Sequence, residues 1–250
     1  MTCTPRQLEK IEELRCKNPL SETQPFPTKG KLKANMNLSL RDLKQRLKQS
    51  GGKEVRAYIL KTFDWKGETL IQYGSGPNFQ GGLITLSTCK HHMRTYYSST
   101  DWVGNWVLGK MKKSVGENAL FYLMKVAHAY DSQYDYWQSL DENVKKAKNS
   151  RYNILGDAFE PKRDVLSGNA RYTPNNYYKP HTKHSHYNGW ENDIEYKSRT
   201  RYTSILVGDV NNSFLWTSPK IYFHSNKNNT RGDNKCSMDE FIDCLFNTPL

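Results

Sequence analysis

Residues 85–94 read "TLSTCKHHMR", which places a thiol (Cys89), an ammonium (Lys90), two adjacent imidazoles (His91, His92) and a guanidinium (Arg94) within one short stretch. Three chemistries can use such a set. A zinc site wants spaced Cys or His ligands on one face. His91 and His92 are adjacent and would point to opposite sides of a strand. No second cysteine cluster follows, so no metal is expected. A thiol nucleophile needs a base and a lowered pKa, which Lys90, Arg94 and the histidines could supply. An anion site needs charged donors where a strand ends, and Lys90 and Arg94 fit that role. The last reading is preferred: a strand end feeding basic side chains into a pocket, with Cys89 a buried structural residue.

Three further stretches carry candidate chemistry. "DWVGNWVLGK" (101–110) brings Trp102 and Trp106 onto a strand flanked by Gly104 and Gly109; an indole there either packs in the core or stacks on a base. In "YNILGDAFEPK" (152–162), Asp157 follows a glycine in a turn, where it closes an Asx-type turn or reads a base edge or ribose. "RYTPNNYYKPHTKHSHYNGW" (171–190) interleaves Arg171, Lys179 and Lys183 with aromatic rings and with His181, His184 and His186. Basic residues beside aromatics suit phosphates and stacked bases. No phosphate-cradling loop, GxSxG, HExxH or dinucleotide fingerprint appears, and the histidine–cysteine deaminase pattern is absent. No cofactor is implied.

The elements that must position these groups begin with two basic helices. "TPRQLEKIEELRC" (4–16) has Thr4 to cap, Pro5 at the first helical position, and Leu8, Ile11 and Leu14 at helical spacing. "SLRDLKQRLKQSGG" (39–52) has Ser39 as cap, Asp42 at the capping-box position, a Leu40, Leu43, Leu47 stripe and two glycines as a stop. Strands follow in "EVRAYILKTF" (54–63), "ETLIQYG" (68–74), "LITLSTC" (83–89) and "NWVLGK" (105–110). "ENALFYLMKVAHAY" (117–130) fits helix or strand by length, and its alternation favours a strand. "DSQYDYWQSLDENVKKAKN" (131–149) is helical. Residues 150–200 form a long polar insertion. Three closing strands lie in 202–210, 213–218 and 220–224, a loop in 226–235, and a capped helix, Ser237 with Glu240, in 237–246. The expected fold is α+β: a mixed, strongly curved β-sheet or barrel with peripheral helices. A basic helical extension over 1–52 precedes the domain at 53–250.

Composition narrows the partner. The chain has 250 residues and a formal charge of +12, and residues 1–50 hold eleven Lys/Arg against five Asp/Glu, half of that excess. Such a charge favours polyanions through counterion release, so DNA or a nucleotide is the expected partner. No apolar run reaches the roughly 18 residues a membrane span needs. The N-terminus carries charges where a leader needs an apolar region. Five cysteines without CxxC spacing read as free thiols in a reducing compartment, so a cytoplasmic location is expected.

Taken in order, "GPNFQGG", "LITLSTCKHHMR", "DWVGNWVLG", "LFYLMKVAHAYDSQYDYW", "LGDAFEP", "HSHYNGW" and "SILVGDV" resemble the second type of nucleotide-modification-associated domain, over about 54–224. The most specific matches are Thr88-Cys89-Lys90, Arg94, Gly104, Trp106, Tyr136-Trp137 and Gly156-Asp157. Asn105 stands where that pattern has Asp, Ala158 where it has Asn, and the loop reads "GPNFQGG" with Pro and Asn exchanged. A weaker, fold-level similarity links the strand pair to base-binding barrels of the PUA and EVE type. The resemblance implies a role around modified bases in DNA, in phage or bacterial settings. The leading expectation is a protein that recognises a modified or flipped base. Its contact set is Thr88, Lys90, Arg94, Trp106, Tyr136, Asp157, Arg171 and Lys179, with Lys90 and Arg94 on phosphate, Trp106 or Tyr136 stacking, and Asp157 reading a base edge. The alternative is a transferase or hydrolase acting on a nucleobase or nucleotide, with Asp157 as acid or base and His184 or His186 as its partner. A nuclease built on the acidic run "WENDIEY" ranks last, because a short acidic run is usually a solvated surface.

Overall fold

The computed structural model describes residues 26–66, 69–111, 118–199, 204–224 and 234–247. The helix expected over 4–16 lies outside them. In chain order the elements are α1 (Gly30–Ala34), α2 (Leu40–Ser50), β1 (Glu54–Ile59), β2 (Phe63–Lys66), β3 (Thr69–Gln72), β4 (Thr85–Leu86), α3 (His91–Arg94), α4 (Ser99–Trp102), β5 (Trp106–Lys110) and β6 (Leu120–Tyr130). Then come α5 (Gln133–Ser139), α6 (Glu142–Lys148), α7 (Glu191–Arg199), β7 (Ile205–Leu215), β8 (Ile221–Phe223), β9 (Asn234–Ser237), α8 (Met238–Asp243) and β10 (Leu245–Asn247).

Six strands form one mixed sheet in the order β4-β7-β6-β5-β1-β9. β1 and β5 run parallel, and the other neighbours are antiparallel. The sheet is open, which corrects the barrel expectation: β4 and β9 are its two edges. Closure fails for a local reason. β4 is only two residues long, and the chain leaves the sheet directly after it. Register shifts along β6, between Met124 and Val126 and between Val126 and His128, are the irregularities that bend such a strand.

Both faces of the sheet are buried. Tyr58, Val107, Tyr122, Met124 and Leu206 face one core, which Cys89, Met93 and Trp102 complete. Val55, Ala57, Trp106, Leu108, Leu123 and Phe214 face the other, beneath Leu43 and Leu47 of α2 and Phe241 and Ile242 of α8. A strand buried on both faces reads as a near-continuous apolar run, which is why 117–130 looked equivocal. The residues at 202–210 and 213–218, read as two strands, are one: β7 runs unbroken through Asn211 and Asn212. The 131–149 helix divides at Leu140 into α5 and α6. Both helix caps are as the residues dictate. Ser39 accepts from the Asp42 backbone, and Ser237 and Glu240 close a reciprocal box. Of the loop expected at 226–235, only Asn234 and Lys235 are described, and they open β9.

The polar insertion is ordered around a small core of its own: Tyr134, Phe159, Leu166, Tyr177, Trp190 and Ile194. Each large ring of this kind, taken fully out of water, contributes about 1.5–3 kcal/mol. That burial holds 150–199 in place despite its polar composition, and it presents 184–193 to the β4 edge of the sheet. Among the described residues no helix is long and apolar enough to cross a membrane.

Candidate functional site

After β4 the chain does not continue as a strand. Lys90 adopts a left-handed conformation (φ 58°, ψ 39°) and starts the single turn of α3. A residue with a side chain holds that geometry at a cost of about 1–3 kcal/mol. With that turn, both Cys89 and His91 reach the 186–193 segment. His186 Nε2 lies 3.8 Å from Cys89 Sγ. On its other side, His186 Nδ1 donates to Asp193 Oδ2 at 2.7 Å. The second Asp193 oxygen sits 2.5 Å from His91 Nε2. Asp193 is in the first turn of α7, anchored by Trp190 and Ile194 in the insertion's core. A thiol, an imidazole and a carboxylate thus stand in line, all buried.

The charges of this group are set by burial and by each other. Burial pulls the His186 imidazolium down, but the Asp193 carboxylate and its hydrogen bond, with Cys89 opposite, hold it well above its ordinary range. Burial would raise Asp193, yet His186 and His91 keep its carboxyl well below the usual carboxylate range. Burial brings His91 down to about 4 in spite of Asp193. His186 is therefore the protonated partner of an ionised Asp193, and His91 is neutral.

A second network adjoins the first. Lys148 Nζ donates to Asn78 Oδ1 at 2.7 Å and to Thr85 Oγ1 at 2.8 Å. It lies 3.9 Å from Asp157 Oδ1, with both side chains fully buried. Thr85 Oγ1 donates to Asp157 Oδ2 at 2.7 Å, and the Tyr136 hydroxyl donates to Oδ1 at 3.3 Å. The Ser87 hydroxyl donates to the Asp157 carbonyl. Burial lowers Lys148 to about 8 against the pull of Asp157. It raises Asp157 although Lys148, Thr85 and Tyr136 oppose it. His184 joins the two networks. Its Nε2 donates to the Gly156 carbonyl at 2.7 Å, while its Nδ1 accepts from the His186 backbone at 3.0 Å. That pair of bonds fixes the neutral tautomer, and burial brings His184 down to about 4.

The expected contact residues are placed as follows. Trp106 is fully buried, donates to the Gly51 carbonyl at 2.9 Å and lies parallel to Phe214, so its indole packs the core and does not face a base. Tyr136 is likewise buried, with its hydroxyl on Asp157. Arg94 is 1 % exposed; it donates to the Cys89 and Ser204 carbonyls and so fastens the chain around Cys89 rather than facing solvent phosphate. Thr88 is buried against Ser75, hydroxyl to hydroxyl at 2.7 Å. The Lys90 ammonium lies over the Tyr58 ring. Arg171 pairs with Asp135 at 2.9 Å, and Lys179 is exposed. Of the eight, only Tyr136 and Asp157 meet in one network, and Thr88 and Lys90 flank Cys89 in sequence.

Lys148, Thr85 and Asp193 were not foreseen. Lys148 carried a signal, since it follows Val144 by four residues and so shares the buried face of α6. Asp193 looked like part of a solvated acidic run. Among the described residues no group of three or more His, Cys, Asp or Glu is arranged to hold a metal ion.

Gly156 permits the close pass that brings Asp157 under β4. A Cβ there would lie 2.6 Å from the Lys148 carbonyl oxygen and 2.7 Å from the Ser150 nitrogen, both backbone atoms. Gly156→Ala is therefore expected to destabilise the protein by about 2–3 kcal/mol, as overpacking against a rigid partner does. Urea unfolding would show it as a lower midpoint with an unchanged slope.

A family model described as nucleotide modification associated domain 2 matches residues 70–243. The matched span contains both networks, from Asn78 to Asp193. No curated protein and no solved structure matches the chain.

Proposed function

Because the chain belongs to the nucleotide modification associated domain 2 family, we propose that it is an enzyme acting on a nucleobase or nucleotide, with the buried network beside β4 as its active centre. The observation that carries this is His186, held at one nitrogen by the buried Asp193 and turned at the other toward Cys89. An oriented imidazole with a strongly shifted pKa is suited to moving a proton, and clusters of perturbed ionisable groups concentrate at functional sites. Folding two such networks away from water is expensive.

His186 replaces Asp157 as the proton-transfer residue. Asp157 has the Lys148 ammonium and the Thr85 hydroxyl against it, and its role is to hold the floor of the site. A base-recognition module is the second reading. It loses Trp106 and Arg94 to the core, but one surface favours it. Arg151 lies 3.8 Å above the Tyr178 ring and 4.9 Å from the Tyr152 ring, and Tyr152 is two-thirds exposed. That pattern suits a stacked base beside phosphate.

The test is to incubate the protein with DNA and with nucleoside triphosphates, digest to nucleosides and weigh the products. The enzyme reading expects a mass change that His186→Gln reduces by about 10²–10⁴-fold, the range for a lost general acid or base. Intact substrate together with salt-sensitive retention of DNA would overturn it in favour of recognition.

A further inference from the structure

We propose that Cys89 is the nucleophile of this centre, and that its substrate is an amide or ester acyl group carried on a nucleotide. The proposal rests on the reading of the buried network as an active centre and names what that centre attacks. Its basis is the in-line placement of Cys89 Sγ, His186 and Asp193, with 3.8 Å from sulfur to Nε2 and 2.7 Å from Nδ1 to carboxylate. A thiol with a base in reach, and the base oriented by a third group, is the arrangement of acyl transfer. Cys89 belongs to the core with Met93 and Trp102, and its sulfur also faces an imidazole that a buried carboxylate keeps protonated.

Two features of the surroundings serve the thiol. The Lys90 turn aims Cys89 at His186 and fixes where α3 begins. Opposite, the chain passes with a glycine: a Cβ at Gly76 would lie 2.7 Å from Cys89 Sγ. The other titratable groups around Cys89 come from three elements. Tyr58 of β1 and Tyr122 of β6 share a hydroxyl hydrogen bond of 2.9 Å, and burial keeps both phenols protonated far above neutrality. Arg94 of α3 donates to the Cys89 carbonyl. None of these is placed to carry a proton to or from the sulfur, so that role falls to His186 Nε2.

The step balances with water as co-reactant. The reacting form is the ion pair, with the proton on His186 Nε2 and the sulfur a thiolate. The sulfur lone pair forms a bond to the acyl carbon, and the carbonyl π pair moves onto oxygen. When the adduct collapses, the bond from carbon to the amide nitrogen or ester oxygen breaks, and that atom takes the proton from Nε2. A thioester on Cys89 remains. Water gives a proton to the now neutral Nε2 as its oxygen bonds to the acyl carbon; the carbon–sulfur bond then breaks, releasing a carboxylic acid and restoring the thiolate beside the imidazolium. Asp193 is a positioning residue throughout, because it touches only the histidines.

Two probes test this on the intact protein without knowledge of the natural substrate. Iodoacetamide labelling is followed by peptide mass spectrometry across pH, comparing Cys89 with Cys3, Cys16, Cys236 and Cys244. At pH 6 ordinary thiols, with pKa near ~8.5, are almost wholly protonated. Cys89 is expected to react at least tenfold faster than the others there, with a flat profile down to that pH. His186→Gln should remove the advantage and return the profile to that of an ordinary thiol, and Asp193→Asn should shift it in the same direction. p-Nitrophenyl acetate should leave an acetyl group on Cys89 and on no other cysteine. Cys89 labelling no faster than the other thiols, or a profile indifferent to His186→Gln, would overturn the proposal. Cys89→Ser separates it from the reading it rests on. A nucleotide mass change that survives Cys89→Ser keeps the enzyme and sinks the nucleophile. A reactive, acylable Cys89 with no nucleotide turned over keeps the nucleophile and sinks the nucleotide substrate.

Discussion

Lys148→Met is expected to lower stability by about 3–5 kcal/mol, the cost of breaking a buried ion pair from one side. The lysine is fully buried, its ammonium donates to Asn78 and Thr85, and Asp157 lies 3.9 Å away. Removing it leaves the Asp157 carboxylate in the protein interior with the Thr85, Tyr136 and Ser87 hydroxyls but no cation to stabilise it. The size of that loss comes mainly from the stranded charge. A second change that removes the charge should therefore return part of it. Lys148→Met combined with Asp157→Asn is expected to be more stable than the sum of the two single losses by about 1–3 kcal/mol, the coupling range of residues in one network. Urea unfolding of the four proteins measures it. Additive losses would mean that the two groups do not act as a charged pair.

The same network shows what a sequence conveys and what it does not. Local signals were legible because local chemistry decides them. Ser39 and Ser237 cap helices wherever a free backbone N–H follows at the right spacing, and the β-branched and aromatic residues of 54–63 and the turn signals around 105–110 mark strands. The open sheet was not legible. Whether a sheet closes depends on its edge strands, and β4 is only two residues long, with the left-handed Lys90 four residues beyond it. Nothing in the residue types between Cys89 and His91 announces that turn. The polar insertion was legible as ordered but not as a carrier of the site, because its core is assembled from single aromatics spread over 134–194.

For the candidate site, residue types singled out several members of the two networks but not how the fold joins them. Cys89, His184, His186 and Asp157 were all singled out. Anion holding by Lys90 and Arg94 and stacking by Trp106 assume that 85–94 stays extended and that Arg94 and Trp106 face a ligand. Arg94 instead has two carbonyl acceptors deep in the fold, and Trp106 is in the core. The decisive partner, Asp193, sits seven residues beyond His186 on the first turn of a helix that was read as a solvated acidic run. A carboxylate that orients a histidine cannot be recognised from spacing when the chain between them turns back on itself.

Acid is expected to weaken the fold between about pH 6.5 and 4, and His184 is the main cause. Burial lowers this histidine from 6.5 to about 4. The unfolded chain therefore binds a proton in that window that the native protein refuses, so stability falls as pH falls. The full loss approaches about 3 kcal/mol, at 1.36 kcal/mol per pKa unit. His91, also lowered to about 4, acts in the same direction, and less strongly because its side chain is 13 % exposed. The neighbouring groups behave differently. His186, raised, is charged in both states below pH 6.5 and adds no slope there; the stability it contributes is lost instead as pH rises through its folded value. Asp193, lowered, loses its contribution only as pH falls through a folded value below 3.8, outside the window. Asp157, raised, takes up its proton first in the native state and so opposes the histidines above 3.8. His184→Gln isolates the main contribution, because the glutamine amide can still donate to the Gly156 carbonyl but cannot titrate. Unfolding midpoints measured from pH 7 to 4.5 should fall more steeply for the native chain than for that variant, by about 2–3 kcal/mol at the acid end. Parallel curves would show that His184 is already charged in the folded protein, and the neutral link between the two networks would then have to be abandoned.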